Sequence, residues 1–173
     1  KAWLRRTMRL MFGGLLIFAA AGHQPVAAVE ALPTFSKSFS PDTIGPGSVS
    51  TLTFTIDNTS IANPADQLAF SDTLPSGVTL ASPALVSNGC GGSLMTAGND
   101  TITLAGGKVG VGGLCTIEVN VTASAPGAGP YTNTTGSLTS SLGNSGTASA
   151  NLTVDNNRPG FSKSFAPSSI DFG

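Results

Sequence analysis

The clearest pattern in the chain is a strict alternation of apolar and polar side chains in three segments. Residues 51–57 place Leu52, Phe54 and Ile56 between polar neighbours, and residues 115–122 and 148–155 alternate in the same way. Successive side chains of a strand point to opposite faces, so a period of two predicts half-buried β-strands. Shorter segments rich in β-branched and aromatic residues predict further strands at residues 34–39, 68–74, 78–86, 93–96, 101–104 and 131–137.

Turn-forming residues separate these segments. They occur at Asn63-Pro64, residues 74–77, Asn88-Gly89, residues 98–100, Gly106-Gly107 and residues 126–130. Beyond the N-terminal segment, no stretch shows the 3.6-residue period of an amphipathic helix. Many short strands with regular turns predict an all-β fold, an antiparallel β-sandwich of two sheets.

The N-terminal segment has the order of a secretory signal peptide. Basic residues within positions 1–9 precede an apolar run at residues 10–21, and small residues follow up to Ala28. The run is shorter than the ~20 residues that cross a bilayer, so a membrane anchor is the less favoured alternative. We expect residues 1–28 to be removed, with cleavage after Ala28 or Ala31. The mature protein is then expected outside the cell or on its surface, with no transmembrane segment.

Composition argues against catalysis and against nucleic-acid binding. The only histidine and the only tryptophan, His23 and Trp3, lie in the predicted signal peptide. The mature chain would lack the usual general base and the commonest metal ligand. The net charge of −1 becomes more negative once the basic N-terminal residues are removed, which leaves no basic surface for nucleic acid. We expect no catalytic residues, no cofactor and no metal site.

Two groups of side chains allow a ligand-binding interpretation. Four carboxylates could supply oxygen ligands to calcium, but they form no Asp-x-Asp-x-Asp cluster and are more typical of turns: Asp57, Asp66, Asp72 and Asp100. Five aromatic side chains could stack on a sugar, although the alternation of residues 51–57 favours the core: Phe35, Phe39, Phe54, Phe70 and Tyr131. Exposed aromatic residues in one loop cluster would favour carbohydrate binding.

Cys90 and Cys115 are the only cysteines of the chain. In an exported protein, an even number of cysteines favours a disulfide. Cys115 shares a strand face with Ile117 and Val119, which directs it to the interior. A redox-active role needs closely spaced thiols or an activating histidine, and neither is present in the mature chain. We predict a structural disulfide.

One seven-residue motif occurs twice. Residues 35–41, Phe-Ser-Lys-Ser-Phe-Ser-Pro, return at residues 161–167 with a single difference, an alanine in place of the third serine. The repetition predicts one complete module at residues 33–157 and the first strand of a second module at residues 159–173. The chain would then belong to a longer tandem array, with neighbouring repeats as its first partners.

Six short motifs follow one another in a fixed order: residues 33–41, 50–54, 71–77, 90–92, 115–117 and 131–134. In this order they resemble the tandem Ig-like repeats of large exported bacterial surface proteins, which are mostly catalogued as domains of unknown function. The resemblance implies an Ig-like fold and a non-catalytic spacer or stalk module of a secreted, adhesin-like protein. The alternative is a β-sandwich that binds carbohydrate or another ligand of the envelope or a host surface.

Lys37 has an unusual position in the first predicted strand. Phe35, Lys37 and Phe39 share one strand face, and a buried, unpaired ammonium group is costly. Some bacterial Ig-like surface modules join such a lysine to an asparagine through an amide between the first and last strands, assisted by a buried acid. That resemblance would give these roles to Lys37, Asn156 and Asp72. The interpretation favoured by the sequence is simpler: an edge-strand lysine that discourages sheet-to-sheet pairing and reaches solvent.

Overall fold

The computed structural model describes residues 31–125 and 130–156. The predicted signal peptide, residues 1–28, and the predicted strand in residues 159–173 lie outside the described residues. The described part of the chain contains strands and turns and no helix. Its strands are β1 (Thr34–Ser40), β2 (Thr43–Ile44), β3 (Val49–Asp57), β4 (Ala65–Thr73), β5 (Val78–Asn88), β6 (Ser93–Ala97), β7 (Thr101–Val109), β8 (Leu114–Ala123), β9 (Tyr131–Thr134), β10 (Thr139–Ser140), β11 (Gly143–Asn144) and β12 (Ser149–Val154).

The strands form three hydrogen-bonded sheets. The first has the order β1-β3-β8-β5, the second β11-β10-β4-β7-β6, and the third, smaller sheet β2-β12-β9. Neighbouring strands are antiparallel, except that β2 and β12 are parallel. The prediction of an all-β antiparallel sandwich is confirmed.

The core lies between the first two sheets. Leu52, Phe54 and Ile56 alternate along β3 and have no exposed surface, whereas the residues between them are partly exposed. The rings of Phe54 and Phe70, in β3 and β4, are 4.9 Å apart between centroids and join the two sheets. Burial of each such side chain stabilises the fold by about 1.5–3 kcal/mol. The two-residue alternation therefore decides which strand face points inward.

The main departure from the predicted elements concerns β7. Gly106-Gly107 was predicted as a turn, but both glycines lie inside this strand. Gly106 has a φ of +70°, and the pairing of β7 with β4 shifts register between Leu68 and Phe70. The glycines therefore accommodate a β-bulge, a use of glycine that resembles a turn signal in sequence.

The path of the first and last strands determines where the chain enters and leaves the sandwich. Lys37 in β1 contacts Asn133 in β9, which pairs with Ala150 in β12. Further along, Ile44 in β2 pairs in parallel with Val154 in β12. The chain therefore runs from Lys37 to Ile44 in the same direction as it runs from Ala150 to Val154. It follows that the chain enters at one end of the sandwich and leaves at the other.

Candidate functional site: a buried Lys–Asp–Asn cluster

Lys37 lies in the middle of β1, and its side chain is completely buried. Its Nζ donates one hydrogen bond to Oδ2 of Asp72 at 2.9 Å and another to Oδ1 of Asn133. The same nitrogen lies 5.2 Å from the centroid of the Phe54 ring. The favoured interpretation of Lys37 as a solvent-reaching edge residue is therefore wrong. β1 does form the edge of its sheet, but Lys37 lies on its inner face.

Asp72 and Asn133 fix each other's orientation. Nδ2 of Asn133 donates to Oδ1 of Asp72 at 2.9 Å and to the backbone carbonyl of Thr73 at 3.1 Å. The Asp72 side chain has no exposed surface, and Asn133 is 1% exposed. Because both acceptors hold the amide nitrogen, the amide oxygen is directed at Lys37.

Strands from all three sheets position this cluster. Lys37 belongs to β1 of the first sheet, Asp72 to β4 of the second and Asn133 to β9 of the third. Asp72 follows the buried Phe70 at a two-residue spacing and so shares its inner face. The cluster therefore lies where the three sheets meet, and its geometry depends on the complete fold.

Burial lowers the pKa of Lys37 below its usual value, because desolvation disfavours the ammonium form. Attraction to the Asp72 carboxylate and a hydrogen bond to it oppose this shift without cancelling it. The cluster thus combines an amine with an increased tendency to lose its proton, an oriented carboxamide and a carboxyl group that contacts both. These are the parts needed for attack by a nitrogen nucleophile on a carbonyl carbon.

The structure does not place Asn156 in this cluster. Asn156 is exposed and lies beyond the end of β12, whereas Asn133 in β9 contacts Lys37. The assignment of Asn156 extended the two-residue period of Leu152 and Val154 past the end of the strand, where the period no longer applies. Asn133 lies in the Tyr-Thr-Asn-Thr motif of β9. The sequence feature that could have identified it is a polar residue on the inner face of a strand.

The predicted disulfide is present between Cys90 and Cys115, whose Cα atoms are 5.0 Å apart. It joins the turn after β5 to the start of β8. Both residues are buried, at 1% and 6% exposure. The inward direction predicted for Cys115 from its neighbours is confirmed.

The five candidate aromatic side chains belong to the core. Phe39, Phe54 and Phe70 are buried, and Phe35 and Tyr131 pack against the core while partly buried. An open surface groove between β5 and β6 is lined by Leu85, Val86, Ser87, Asn88, Gly92, Ser93 and Leu94 and contains no aromatic ring. The candidate aromatics therefore form no stacking surface for a sugar.

The four aspartates considered for calcium lie on three segments: Asp57 at the end of β3, Asp66 and Asp72 in β4, and Asp100 in the turn before β7. Asp57 accepts a hydrogen bond from the backbone N–H of Thr59, just after β3 ends, and Asp100 accepts one from the hydroxyl of Thr101. Hydrogen bonds from Thr59 also lower the pKa of Asp57. Within residues 31–125 and 130–156, no three His, Cys, Asp or Glu side chains are grouped so that they could hold a metal ion.

The part of the chain that the structure describes contains no helix long and apolar enough to cross a bilayer.

Three solved structures have similar folds. BslA, a bacterial hydrophobin, is 19% identical with a TM-score of 0.49, and the match covers 73% of this chain and 95% of that chain. BcpA, the major pilin subunit of Bacillus cereus, is 12% identical with a TM-score of 0.48, covering 70% of this chain and 39% of the pilin. A non-cellulosomal cohesin from the hyperthermophilic archaeon Archaeoglobus fulgidus is 12% identical with a TM-score of 0.47, covering 73% and 94%. At these levels the similarities carry no argument about function.

No curated protein matches the chain significantly. A family model described as "Domain of unknown function (DUF7933)" matches residues 33–154, which include every described strand. This match covers most of the chain, and the protein therefore belongs to the DUF7933 family.

Proposed function

We propose that the protein is a non-catalytic spacer or stalk module of a secreted, adhesin-like bacterial surface protein. The observation that carries this proposal is the path of the chain, which enters the sandwich at one end and leaves it at the other. Modules connected in this way can follow one another end to end and extend a protein away from the cell. A module whose ends emerged side by side would instead fold an array back on itself.

The sequence supports such an array. The motif at residues 35–41, which contributes β1, recurs at residues 161–167 shortly after β12 ends. In the proposal, residues 33–157 form one module, and residues 159–173 begin the next, so that neighbouring repeats are direct partners. The signal-like segment at residues 1–28 and the disulfide both favour an oxidising, extracellular location.

The buried cluster supports a structural role over an enzymatic one. Side chains of Lys37 and Asp72 have no exposed surface, so a dissolved substrate has no access to them. Whatever chemistry the cluster performs is therefore directed at the protein itself. Carbohydrate binding, the alternative function, is less favoured because the candidate aromatic side chains pack into or against the core.

Small-angle X-ray scattering tests the spacer role. Two copies of residues 31–160 joined in tandem should give a maximum dimension close to twice that of one copy, because each copy enters and leaves at opposite ends. A tandem protein about as long as the single module, with the two sandwiches side by side, would contradict the proposal.

Export is tested separately by N-terminal sequencing of protein recovered from the cell surface or medium. The expected first residue follows Ala28 or Ala31. Protein that stays inside the cell and begins near Lys1 would contradict the secreted location.

A further inference from the structure

We propose that the folded protein joins Lys37 to Asn133 through an intramolecular amide bond, with Asp72 carrying the protons. This inference goes beyond the spacer role and does not depend on it, because it rests on the buried cluster and not on the path of the chain. The amide would be a permanent covalent link between β1 and β9.

The geometry supplies each part of the reaction. Nζ of Lys37 contacts the carbonyl oxygen of Asn133, so the nucleophile lies next to the carbon that it would attack. One oxygen of Asp72 accepts from Lys37 and the other accepts from Nδ2 of Asn133, each at 2.9 Å. The same carboxyl group therefore contacts both the nitrogen that must lose protons and the nitrogen that must leave. Reacting groups held in contact by the fold gain the large rate advantage of an intramolecular reaction.

The step balances without an external reagent. Asp72 takes one proton from the Lys37 ammonium, and the neutral Nζ attacks Cγ of Asn133 to form the new N–C bond. A second proton passes from Nζ, by way of the carboxyl group, to Nδ2. The Cγ–Nδ2 bond then breaks and ammonia leaves, while the first proton stays on Asp72. Nothing is oxidised or reduced, and the net charge of the cluster is zero before and after.

Energetics favour the product. Before reaction, the site holds a buried ammonium and a buried carboxylate, whose desolvation is costly even when they are paired. After reaction it holds a neutral secondary amide and a neutral carboxylic acid, which can hydrogen-bond to each other. Burial also lowers the pKa of Lys37, which helps to form the reactive neutral amine. The Lys37 and Asp72 side chains have no exposed surface, and this burial disfavours hydrolysis of the bond.

Mass spectrometry of the full chain tests the proposal. The denatured protein should weigh one ammonia less than its sequence, after the disulfide is allowed for and the N-terminus is determined. A tryptic digest should contain one branched peptide that includes both Lys37 and Asn133. Ring closure at Asn88-Gly89 could also release ammonia, but it would leave the Lys37 peptide linear. A linear Lys37 peptide from folded, disulfide-bonded protein would overturn the proposal.

Variants test whether the loss of ammonia depends on the residues of the cluster. Lys37→Met and Asn133→Ala cannot form the bond, so neither variant should lose ammonia through it. Lys108→Met and Asn151→Ala are matched controls, since both residues are exposed and lie outside the cluster, and both should still weigh one ammonia less than their sequences. Asp72→Asn keeps the shape of the side chain and should fold, as judged by circular dichroism, without forming the bond.

The Asp72 variants test the role of Asp72 as the proton carrier. If folded Asp72→Asn still contains the branched peptide, the assignment of Asp72 as the proton carrier is overturned. If this variant does not fold, Asp72→Glu provides the second test: a displaced carboxyl group should slow bond formation in freshly refolded protein, followed as the fraction of branched peptide over time. Bond formation as fast as in the wild type would equally overturn the role.

Discussion

At the scale of single residues, Lys37 shows how a strand can carry an ammonium group on its inner face. Its neighbours Phe35 and Phe39 contribute apolar surface, and Asp72 and Asn133 supply the two hydrogen bonds. Loss of one member of a buried ion pair costs more than the pair contributes, because the remaining charge is left without a partner. The three polar residues therefore act as a unit.

The ionisation of Lys37 can be measured in a variant that cannot form the amide. In Asn133→Ala, the pKa of Lys37 is expected to stay below 10.5, its usual value, with Asp72 as the facing charged group. The unfolded chain then binds the lysine proton more tightly than the folded chain does. The free energy of unfolding should therefore rise as the pH increases through the interval between the folded pKa and 10.5.

Urea denaturation at several pH values measures this effect. The double variant Asn133→Ala/Lys37→Met is the control, because it lacks the titrating amine but keeps the other ionisable groups. The difference between the two stability curves should change in favour of the lysine-containing protein as the pH rises, since only this protein gains. Parallel curves would show that Lys37 has the same pKa in the folded and unfolded chains.

The sequence could identify Lys37 and Asp72 but not their asparagine partner. Alternation placed Lys37 on the face of two phenylalanines, and that face is the inner one. The choice of Asn133 over Asn156 depends on how β9 and β12 lie relative to β1, which is a long-range property of the fold. Periodicity within one segment contains no information on which strands from distant segments meet.

At the scale of elements, the turn after β5 packs tightly against the bulge of β7. A Cβ atom on Gly92 would lie 2.6 Å from the carbonyl oxygen of Ala105 and 2.6 Å from the amide nitrogen of Gly107. The backbone N–H of Lys108 also donates to the carbonyl of Cys90 at 2.8 Å. The disulfide turn is thereby attached to the second sheet as well as to β8.

This packing predicts different effects of alanine at two neighbouring glycines. Gly91 and Gly92 have similar positive φ values, +65° and +68°, but a Cβ on Gly91 would meet nothing within 4 Å. Gly91→Ala should cost about 1 kcal/mol from backbone strain alone. Gly92→Ala adds a backbone clash and should cost on the order of 3 kcal/mol. Equal losses of unfolding free energy, measured by urea denaturation, would mean that the turn after β5 is not in close contact with β7.

Removal of the disulfide at the same turn should also lower the free energy of unfolding. It closes a loop with a sequence separation of 25, which corresponds to about 3 kcal/mol in the chain-entropy model. The double variant Cys90→Ala/Cys115→Ala should therefore unfold at lower urea, with a fall in free energy of about that size. Reduction of the wild-type protein should produce a similar loss. An unchanged midpoint in both experiments would contradict a stabilising role.

The strands β3 and β8 were predictable because each buries a full alternating face. Within residues 31–125 and 130–156, each segment predicted as a strand overlaps an observed one. The missed strands β2, β10 and β11 have two residues each, too few to show a period. Their pairing is set by the neighbouring strands, so their own sequence carries little signal.

At the scale of the whole molecule, the Lys37–Asn133 bond and the disulfide form nested loops, because Cys90 and Cys115 both lie between the two linked residues. When the protein is stretched from its ends with an atomic force microscope, the amide should keep the 96-residue interval between Lys37 and Asn133 from extending. Wild-type protein should therefore release only the chain outside this loop, whereas Asn133→Ala should release much more.

Reduction of the disulfide provides an internal control. It should lengthen the released chain in Asn133→Ala, where the disulfide bears force, and leave the wild type unchanged, where the amide shields it. Wild-type protein that extends as far as the variant, or that lengthens on reduction, would show that no covalent bond closes the outer loop.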